Sequence, residues 1–302
     1  MVIDTGIEQD YEVNGFVRST ANYFLTPILN RLPKRVFIGS SRKAKTVHEH
    51  VTTHTALEVI YSFNKELNFQ KGVLEGLITY FWQTTNSAKA LRNRLKLVKK
   101  EVDKAISSLN RKEITVLNLA CGSNVAVFET VAKYKNVLSI DVFGVDRNEQ
   151  AIIDAEKSAS GFGIGNLFKG CRNTISGFLN ENKHLKFDII EMVGFLDYVE
   201  DAKAVELFNQ IHSALKEDGV FITGNVTDNP ERRFITEVVG WPRLIFRDEK
   251  DLANLISSSK FNDCESRIVY EPQNIHAVVT CRKSKPLAVQ RRKETGMGDY
   301  KS

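Results

Sequence analysis

Long apolar stretches, paired cysteines and a strong charge imbalance are all missing from this sequence of 302 residues. No apolar run approaches the roughly 20 residues that a membrane-spanning helix needs, so no span is expected. None of the four cysteines belongs to a Cys-x-x-Cys pair, which argues against zinc and dithiol redox motifs; they are Cys121, Cys171, Cys264 and Cys281. The first residues lack the basic start and apolar core of a signal peptide. We therefore expect a cytoplasmic protein with reduced cysteines.

The charge is only mildly unbalanced, with a net charge of +5 and dispersed Lys and Arg residues. This balance indicates ordinary solubility first, and an acidic substrate or anionic surface second. Hydrophobic residues make up 42% of the chain, which is enough for a sizeable core. The length allows one large domain, or a core domain with an accessory part.

The clearest pattern in the chain runs from Val116 to Asn124. An apolar strand ends abruptly in a small-residue turn around Gly122, and a helical segment follows from Val125. Strand, tight turn and helix open a doubly wound α/β sheet, in which backbone N–H groups and the helix N-terminus face a ligand. Glycine at position 122 lets the backbone approach that ligand because no Cβ intervenes.

This turn resembles motif I of the class I S-adenosylmethionine-dependent methyltransferases, which usually reads acidic-x-Gly-x-Gly-x-Gly. The aligned residues here are Asn118, Ala120, Gly122 and Asn124, so only the central glycine is kept. On the turn alone, a structural βα turn in another α/β protein is an equally good interpretation.

Three later stretches follow the order and spacing of that family. Ser139 to Asp146 is typical of a second strand ending in an acid, 22 residues after Asn124 (146 − 124), close to the spacing at which an acid meets a ribose. Phe187 to Gly194 predicts the fourth strand, and Leu215 to Thr223 a helix end, turn and fifth strand. The resemblance implies a Rossmann-like α/β fold with a seven-stranded sheet, and S-adenosylmethionine as cofactor.

The resemblance also implies where the cofactor binds. Asp146 aligns with the acid that holds the ribose hydroxyls. Cys171 and Arg172 align with the turn that faces adenine, although Cys171 replaces the usual acid. The predicted cofactor-binding residues are Asn118, Ala120, Gly122, Asp146, Arg147, Cys171, Arg172 and Val193.

The region before the sheet predicts a helical cap. Pro27 is expected to break a helix between Phe16 and Leu32, and Ser40 to Lys45 is typical of a polar linker. Thr55 and Glu58 have capping-box spacing at the start of a helix whose apolar face extends to Leu67. A second helix is predicted from Gly72 to Trp82. His48, His50 and His54 lack further ligands nearby and favour a solvated turn over a metal site.

A third helix follows Asn86 and Ser87, which are good N-cap residues. Its apolar stripe consists of Leu91, Leu95, Val98, Val102, Ile106 and Leu109. Its many cations predict a solvated face in the first place, and a substrate-steering patch in the second; they are Lys89, Arg92, Arg94, Lys96, Lys99, Lys100 and Lys104.

The segment after the fourth strand bears on the methyl acceptor. Family members that methylate bases in nucleic acid carry an Asn-Pro-Pro-aromatic turn there, whereas this chain has Val193 to Val199, so nucleic acid is a disfavoured partner. Many small-molecule members carry a histidine as base; here Asp197 and Tyr198 are the candidate catalytic residues. A carboxylate acceptor is ionised at neutral pH and needs only positioning donors and a dry pocket. Candidate substrate-binding donors are Asn225, Arg232 and Arg247.

A purely structural interpretation of these residues stays open. Asp197 pairs or caps locally in that interpretation, Tyr198 packs under the cap, and each arginine is surface charge or pairs with an acid such as Glu231 or Asp248.

A narrower set of motifs is similar to the bacterial methyltransferase family named for making 3-hydroxypalmitic acid methyl ester. The matching residues are Phe187-Asp188, Gly194, Asp197-Tyr198, Asn225-Val226, Asn229-Pro230, Arg232, Trp241 and Arg247. This similarity implies a fatty acid or another hydrophobic acid as acceptor, which an apolar cap helix would suit.

We predict a helical cap over residues 1–110, an S-adenosylmethionine-binding methyltransferase domain over 111–283 and a disordered tail over 284–302. The predicted function is transfer of a methyl group to a small molecule, through oxygen and without a metal. One alternative is an RNA or protein methyltransferase, motivated by the net charge; another is a non-catalytic cofactor-binding or scaffold protein, motivated by the degraded motif I. A metal-assisted reaction would need Asp197, Asp228 and Asn229 to converge on one ion. The oligomeric state stays open.

Overall fold

A computed structural model of the protein describes residues 2–6, 10–63 and 72–283. The predicted tail, 284–302, lies outside the described residues, and so does Leu67. The described strands form one eight-stranded sheet, in the order β1-β7-β8-β6-β5-β2-β3-β4. They are β1 (Val2–Ile3), β2 (Glu113–Leu119), β3 (Ser139–Asp146), β4 (Phe168–Arg172), β5 (Phe187–Val193), β6 (Leu215–Val226), β7 (Glu265–Tyr270) and β8 (His276–Arg282).

The sheet confirms the predicted Rossmann-like class. Its strands run parallel except β8, which is antiparallel to both β6 and β7. The predicted count of seven strands was too low by one, because β1 adds two residues parallel to β7 at the sheet edge. A two-residue strand has too little periodicity to be found in a sequence.

Eleven α-helices are present in the described residues. They are α1 (Phe16–Leu29), α2 (Lys34–Ser40), α3 (Arg42–Glu49), α4 (His54–Tyr61), α5 (Val73–Gln83), α6 (Asn86–Ser108), α7 (Val125–Ala132), α8 (Glu149–Gly161), α9 (Ile175–Glu181), α10 (Asp201–Ala214) and α11 (Glu249–Ser257). None of them is both long and apolar enough to cross a membrane.

Both faces of the sheet are covered, which explains the nearly continuous apolar runs of the central strands. Successive residues point to opposite faces, so Val116 and Leu117 of β2 enter different cores. Val116 packs with the apolar stripe of α6 and with α7 and α8, whereas Leu117 packs with α9, α10 and α11. The helices cover the two faces, so the carboxyl ends of the parallel strands stay open; this end of the sheet is called its open edge below.

A third apolar cluster lies outside the two sheet cores and forms the cap. It joins Phe37 of α2 and Trp82 of α5 with Phe234 and Trp241 from the segment after β6. The rings of Phe37 and Trp82 meet edge to face with centroids 5.8 Å apart. The cap is therefore assembled from both ends of the chain, and residues 227–247 belong to it as much as the N-terminal helices do.

Several local predictions in the cap were wrong. The predicted linker contains the end of α2 and the start of α3, with Ser41 accepting a hydrogen bond from the Ala44 N–H at 3.1 Å as N-cap. Pro27 lies inside α1 and does not break it. The predicted capping box at Thr55 does not form, because α4 already begins at His54.

Two further predictions were wrong because tertiary packing overrides local pattern. The cations at the start of α6 do not form a solvated face, since Lys89, Arg92 and Arg94 are all buried. Arg92 pairs with Glu12 at 2.6 Å. The predicted turn does not precede the strand but lies inside it: β6 starts at Leu215 directly after α10, and its register shifts between Phe187 and Ile189, where Asp218 has a left-handed backbone (φ 64°).

Candidate active site

A cavity of about 1000 Å³ lies between the open edge of the sheet and the cap. Its size is at the upper end of the range typical of small-molecule sites. One half, the sheet half, is lined by the loops after β2, β3, β4 and β5. The other half, the cap half, is lined by α2, α4, α5, α6 and the segment after β6.

The turn after β2 forms the floor of the sheet half. Ala120, Gly122 and Asn124 all have left-handed backbones, with φ values of 52°, 52° and 56°. The turn thus keeps the conformation that a glycine-rich motif adopts easily, although two of the three residues carry a Cβ. The side chain of Asn118 donates to Asn124 Oδ1 at 2.6 Å and holds the turn closed.

Asp146, the last residue of β3, faces this turn. Its Oδ2 accepts the Gly122 N–H at 3.2 Å, and its Oδ1 accepts the Asn148 N–H at 2.9 Å. Each carboxylate oxygen has a further lone pair, so the group can still accept two hydroxyl donors. The carboxylate therefore both positions the turn and presents acceptors to the cavity.

Glu191 of β5 is a buried carboxylate beside the same turn. It is the register neighbour of Asn118, and its Oε1 accepts the Val193 N–H at 2.8 Å. Burial raises the pKa of Glu191 to about 8, because the charged form loses hydration. A cationic ligand in the cavity would favour the ionised form.

The cap half is mostly apolar and holds one buried guanidinium. Arg94 donates to the Tyr61 hydroxyl at 3.2 Å, and its Nη1 lies 3.9 Å from Asp197 Oδ2. Asp197 is fixed in turn, because its Oδ1 accepts the Val226 N–H at 2.7 Å. These contacts account for a small part of the five N–H donors of Arg94 within the described chain. The guanidinium is therefore positioned but has donors left for a ligand.

Two further polar groups line the cap half. The Tyr198 hydroxyl accepts a hydrogen bond from Trp241 Nε1, which leaves its own proton available for donation. Burial raises the pKa of Tyr198 to about 12, so the hydroxyl stays protonated at neutral pH. His276, the first residue of β8, has no hydrogen-bond partner for Nδ1 among the described residues. Burial, together with Arg94, holds the pKa of His276 well below its usual value.

The comparison with known families bears directly on this site. The family model described as "Methyltransferase domain" matches residues 110–275, which is more than half of the chain and contains β2 to β7. The chain belongs to the methyltransferase domain family. It is an S-adenosylmethionine-dependent methyltransferase.

Solved structures share the fold at low identity. A possible exported protein from Bordetella parapertussis matches at TM-score 0.64 and 14% identity, over 90% of this chain and 100% of that chain. The magnesium protoporphyrin IX methyltransferase of Synechocystis PCC 6803 with bound SAH matches at TM-score 0.52 and 14% identity, over 75% of this chain and 92% of that chain. No curated protein matches the sequence significantly.

Most of the predicted site residues of this methyltransferase lie at the cavity. Those that line it are Asn118, Ala120, Gly122, Asp146, Arg147, Val193, Asp197 and Tyr198. Cys171 and Arg172 end β4 and do not line it; Asn173 and Thr174, the next two residues, take that place. Arg172 instead pairs with Glu149 at 3.1 Å.

The three predicted substrate-binding residues do not line the cavity either. The Arg247 guanidinium is buried in the protein, where it donates to Asn225 Oδ1 at 2.9 Å and to the Leu196 carbonyl at 3.0 Å. These bonds tie the loop containing Asp197 and Tyr198 to the end of β6. Arg232 is exposed, pairs with Asp228 at 3.3 Å and lies over the Phe246 ring.

The histidines near the cap do not converge. His48 Nδ1 contacts the Val239 carbonyl oxygen at 2.8 Å, whereas His54 Nε2 contacts Asp154 Oδ2 at 3.0 Å. His50 is exposed. No group of three or more His, Cys, Asp or Glu residues suited to a metal ion exists in the described ranges.

Sequence reasoning missed Arg94, Glu191 and His276. Arg94 lies three residues after Leu91 and four before Val98, which places it on the buried stripe. Glu191 is one of two buried acids in β5; Asp188 pairs with Lys216, whereas Glu191 lies at the carboxyl end of the strand, where a buried acid indicates a functional group. His276 pairs with Val226 across an antiparallel ladder, so the start of β8 meets the carboxyl end of β6. That position becomes visible only once the strand direction is known.

Proposed function

We propose that this methyltransferase esterifies the carboxylate of a small hydrophobic acid. In this proposal residues 111–283 form the catalytic domain, and its segment 227–247 completes the cap that residues 1–110 begin. The observation that carries it is the buried Arg94 guanidinium, which faces the cavity and has N–H donors that no described residue accepts. Arg presents a planar fork that matches a carboxylate, so an anionic acceptor group fits this position.

The residues of the sheet half fit the cofactor. The left-handed turn from Ala120 to Asn124 presents backbone to the cavity, and the buried Asn124 Nδ2 has no partner among the described residues. We assign Asp146 to the ribose hydroxyls. Glu191 supplies the carboxylate that motif I lacks at Asn118, since the two positions are register neighbours. It faces the positively charged end of the cofactor.

When bound, S-adenosylmethionine supplies a methyl group that is already activated for transfer. The protein then has to hold the acceptor oxygen in line and exclude water. In our proposal the Arg94 fork binds the acceptor carboxylate and Tyr198 donates to one of its oxygens, which leaves a lone pair on the other oxygen for attack. An ionised carboxylate releases no proton on methylation, so no base is required.

A hydroxyl acceptor is the second candidate, and His276 favours it. Its unpartnered Nδ1 lies in the cavity wall, where a base for an alcohol or phenol is needed. Its depressed pKa, however, makes it a weak base. The carboxylate therefore stays our first choice. Among the described cavity residues, no side chain favours an RNA or protein acceptor in the way that Arg94 favours a carboxylate and His276 a hydroxyl.

The test uses methyl-labelled S-adenosylmethionine with a panel of straight-chain fatty acids and arylcarboxylic acids. Methyl esters identified by mass are the expected products. At saturating S-adenosylmethionine the rate is expected to stay constant from about pH 8 to about pH 6, because a carboxylate acceptor remains ionised there. Methylation of the matching alcohols or phenols, with a rate that falls as the pH falls, would assign the reaction to a hydroxyl acceptor and overturn the proposal.

Arg94→Lys is the matched variant for this test. It keeps a positive charge beside Asp197 but removes the planar fork, so kcat/KM for the acid is expected to fall by about tenfold to a hundredfold. Calorimetry should find S-adenosylmethionine binding within about threefold of the wild type, which separates acceptor binding from cofactor binding.

A further inference from the structure

Helix α1 lies outside the cavity. It buries polar side chains and exposes large apolar ones, which is the reverse of the usual arrangement of an amphipathic helix. Its polar residues Asn22 and Thr26 are buried together with Leu29. The opposite face, here called the outer face, consists of Phe16, Tyr23, Phe24 and Ile28. These side chains are 87%, 77%, 67% and 64% exposed.

The inner face explains why α1 is held in this orientation. Asn22 Nδ2 donates to Asn86 Oδ1 at 2.7 Å, at the start of α6. Asn30 follows the helix and bonds twice, donating to the Pro230 carbonyl at 2.8 Å and accepting the Phe234 N–H at 2.9 Å. Rotation of α1 to bury its aromatic residues would break these bonds. The outer face is therefore a fixed apolar surface.

Four large apolar side chains on one helix face are more than scattered surface hydrophobes. Contiguous exposed apolar patches mark sites of interaction with proteins or membranes. Tyr23 and Phe24 meet edge to face with centroids 5.4 Å apart, and both remain exposed.

The charge of the segment that contains α1 favours an anionic partner. From Val13 to His48 the sequence contains no Asp or Glu, and it contains Arg18, Arg31, Lys34, Arg35, Arg42, Lys43 and Lys45. Arg31 lies in the turn after α1, Lys34 and Arg35 begin α2, and all three are exposed. None of these three forms an ion pair with another described residue. A second copy of this face would bring like charges together, which opposes self-association.

We infer that the outer face of α1 docks the protein on an anionic lipid bilayer. Aromatic and aliphatic side chains at one helix face, flanked by Lys and Arg, are the combination with which interfacial helices bind such membranes. The helix lies in the bilayer surface and does not cross it. This inference goes beyond the proposed function and does not depend on the methyl acceptor.

The test is flotation of the full chain with vesicles of phosphatidylcholine alone or mixed with phosphatidylglycerol. The wild type is expected to float with the mixed vesicles at low salt, and to bind neutral vesicles about tenfold less. Tyr23→Ser with Phe24→Ser should lower partitioning by about tenfold or more. Val137→Ser, at a residue 72% exposed in the loop before β3, is the matched control and should float like the wild type.

Two controls keep the outcome interpretable. Cofactor affinity and the melting temperature of the double variant should equal those of the wild type, since both rings are exposed. A wild type that stays unbound with anionic vesicles, or a double variant that floats equally well, would overturn the inference. A wild-type dimer that the double variant converts to a monomer, without any flotation, would assign the outer face to a second copy instead.

Discussion

The two halves of the cavity place their functional groups by different means. In the sheet half, consecutive strand ends and one left-handed turn present backbone atoms, with Asp146 and Glu191 as the carboxylates. In the cap half, single side chains from distant parts of the chain converge: Arg94 from α6, Tyr198 after β5 and His276 from β8. The sheet half therefore depends on backbone conformation, and the cap half on the identity of individual side chains.

This difference explains how motif I departs from its family pattern without losing its shape. Ala120 and Asn124 occupy glycine positions and still adopt φ values of 52° and 56°. Backbone N–H groups are the same whatever the side chain, provided that the residue tolerates the conformation. The cap half has no such redundancy, because a guanidinium in an apolar chamber has no backbone substitute. Substitutions in the two halves should consequently fail in different ways.

The largest effect is expected where the two halves touch. A Cβ at Gly122 would lie 3.0 Å from the His54 Cβ of α4, and the position has φ +52°. Gly122→Val should abolish S-adenosylmethionine binding in calorimetry, because a β-branched residue is strained at positive φ and would enter the cavity floor.

A second variant separates the causes of that loss. Adding His54→Gly removes the Cβ that the new side chain would meet but not the backbone strain, so the double variant should still fail to bind. Circular dichroism reports whether both variants fold. A folded Gly122→Val protein that binds as tightly as the wild type would show that this turn is not the cofactor site.

The difference between the sheet half and the cap half also explains how much of the structure could be predicted from the sequence alone. β3 was predicted with its observed bounds, Ser139–Asp146, and the order of the strands followed, because parallel strands and their helices have strong local periodicity. The strand ends then meet at one edge, so most cofactor-side residues could be named. The cap could not be predicted in this way: α2 and α3 are short helices, and their burial depends on residues about two hundred positions later.

Arg94 and Arg247 show why the side chains of the cap half could not be assigned from the sequence. Helical spacing places Arg94 on the buried stripe of α6, but it does not show that Arg94 faces the cavity while Arg247 ties a loop to β6. Their roles are set by which partners already satisfy their donors. That information is tertiary.

The next largest effect tests the carboxylate in the sheet half through its pKa. The folded, cofactor-free protein holds the pKa of Glu191 at about 8, above the usual 4.5. A cationic ligand selects the ionised form, so affinity for S-adenosylmethionine should rise by up to about tenfold per pH unit towards pH 8 and then level off. Glu191→Gln should remove this slope. An unchanged slope would mean that another group is linked to binding.

The same group makes a linked prediction for stability without cofactor. Because the folded pKa is raised, the contribution of Glu191 to stability is present below about pH 4.5 and is lost as the pH rises towards about 8. Glu191→Gln should therefore melt higher than the wild type at the alkaline end of this window. Melting curves of both proteins at the two ends provide the measurement; a constant difference between them would contradict the raised pKa.

A smaller effect is expected from Tyr198→Phe in the cap half. The variant keeps the ring, which packs against the cap cluster, and removes one neutral hydrogen-bond donor. Steady-state kinetics with an accepted acid should show kcat/KM lower by roughly threefold to tenfold, with cofactor affinity unchanged. Trp241→Phe controls for the lost bond between the two side chains. Cofactor binding that weakens as much as acceptor turnover would place Tyr198 in the sheet half instead.

The smallest effect is expected from Ala120→Gly, which restores a motif glycine. An alanine at φ +52° costs roughly 1–2 kcal/mol relative to a right-handed residue, while glycine adds chain entropy worth roughly 0.5–1 kcal/mol to the unfolded state. The variant should therefore be more stable by about 0.5 kcal/mol in urea unfolding. Ala253→Gly, at an exposed position inside α11, should instead lose about 1 kcal/mol. Cofactor affinity should survive Ala120→Gly, since the sheet half uses backbone atoms there. If both variants lose the same stability, Ala120 is unstrained, and the tolerance of this turn has another cause.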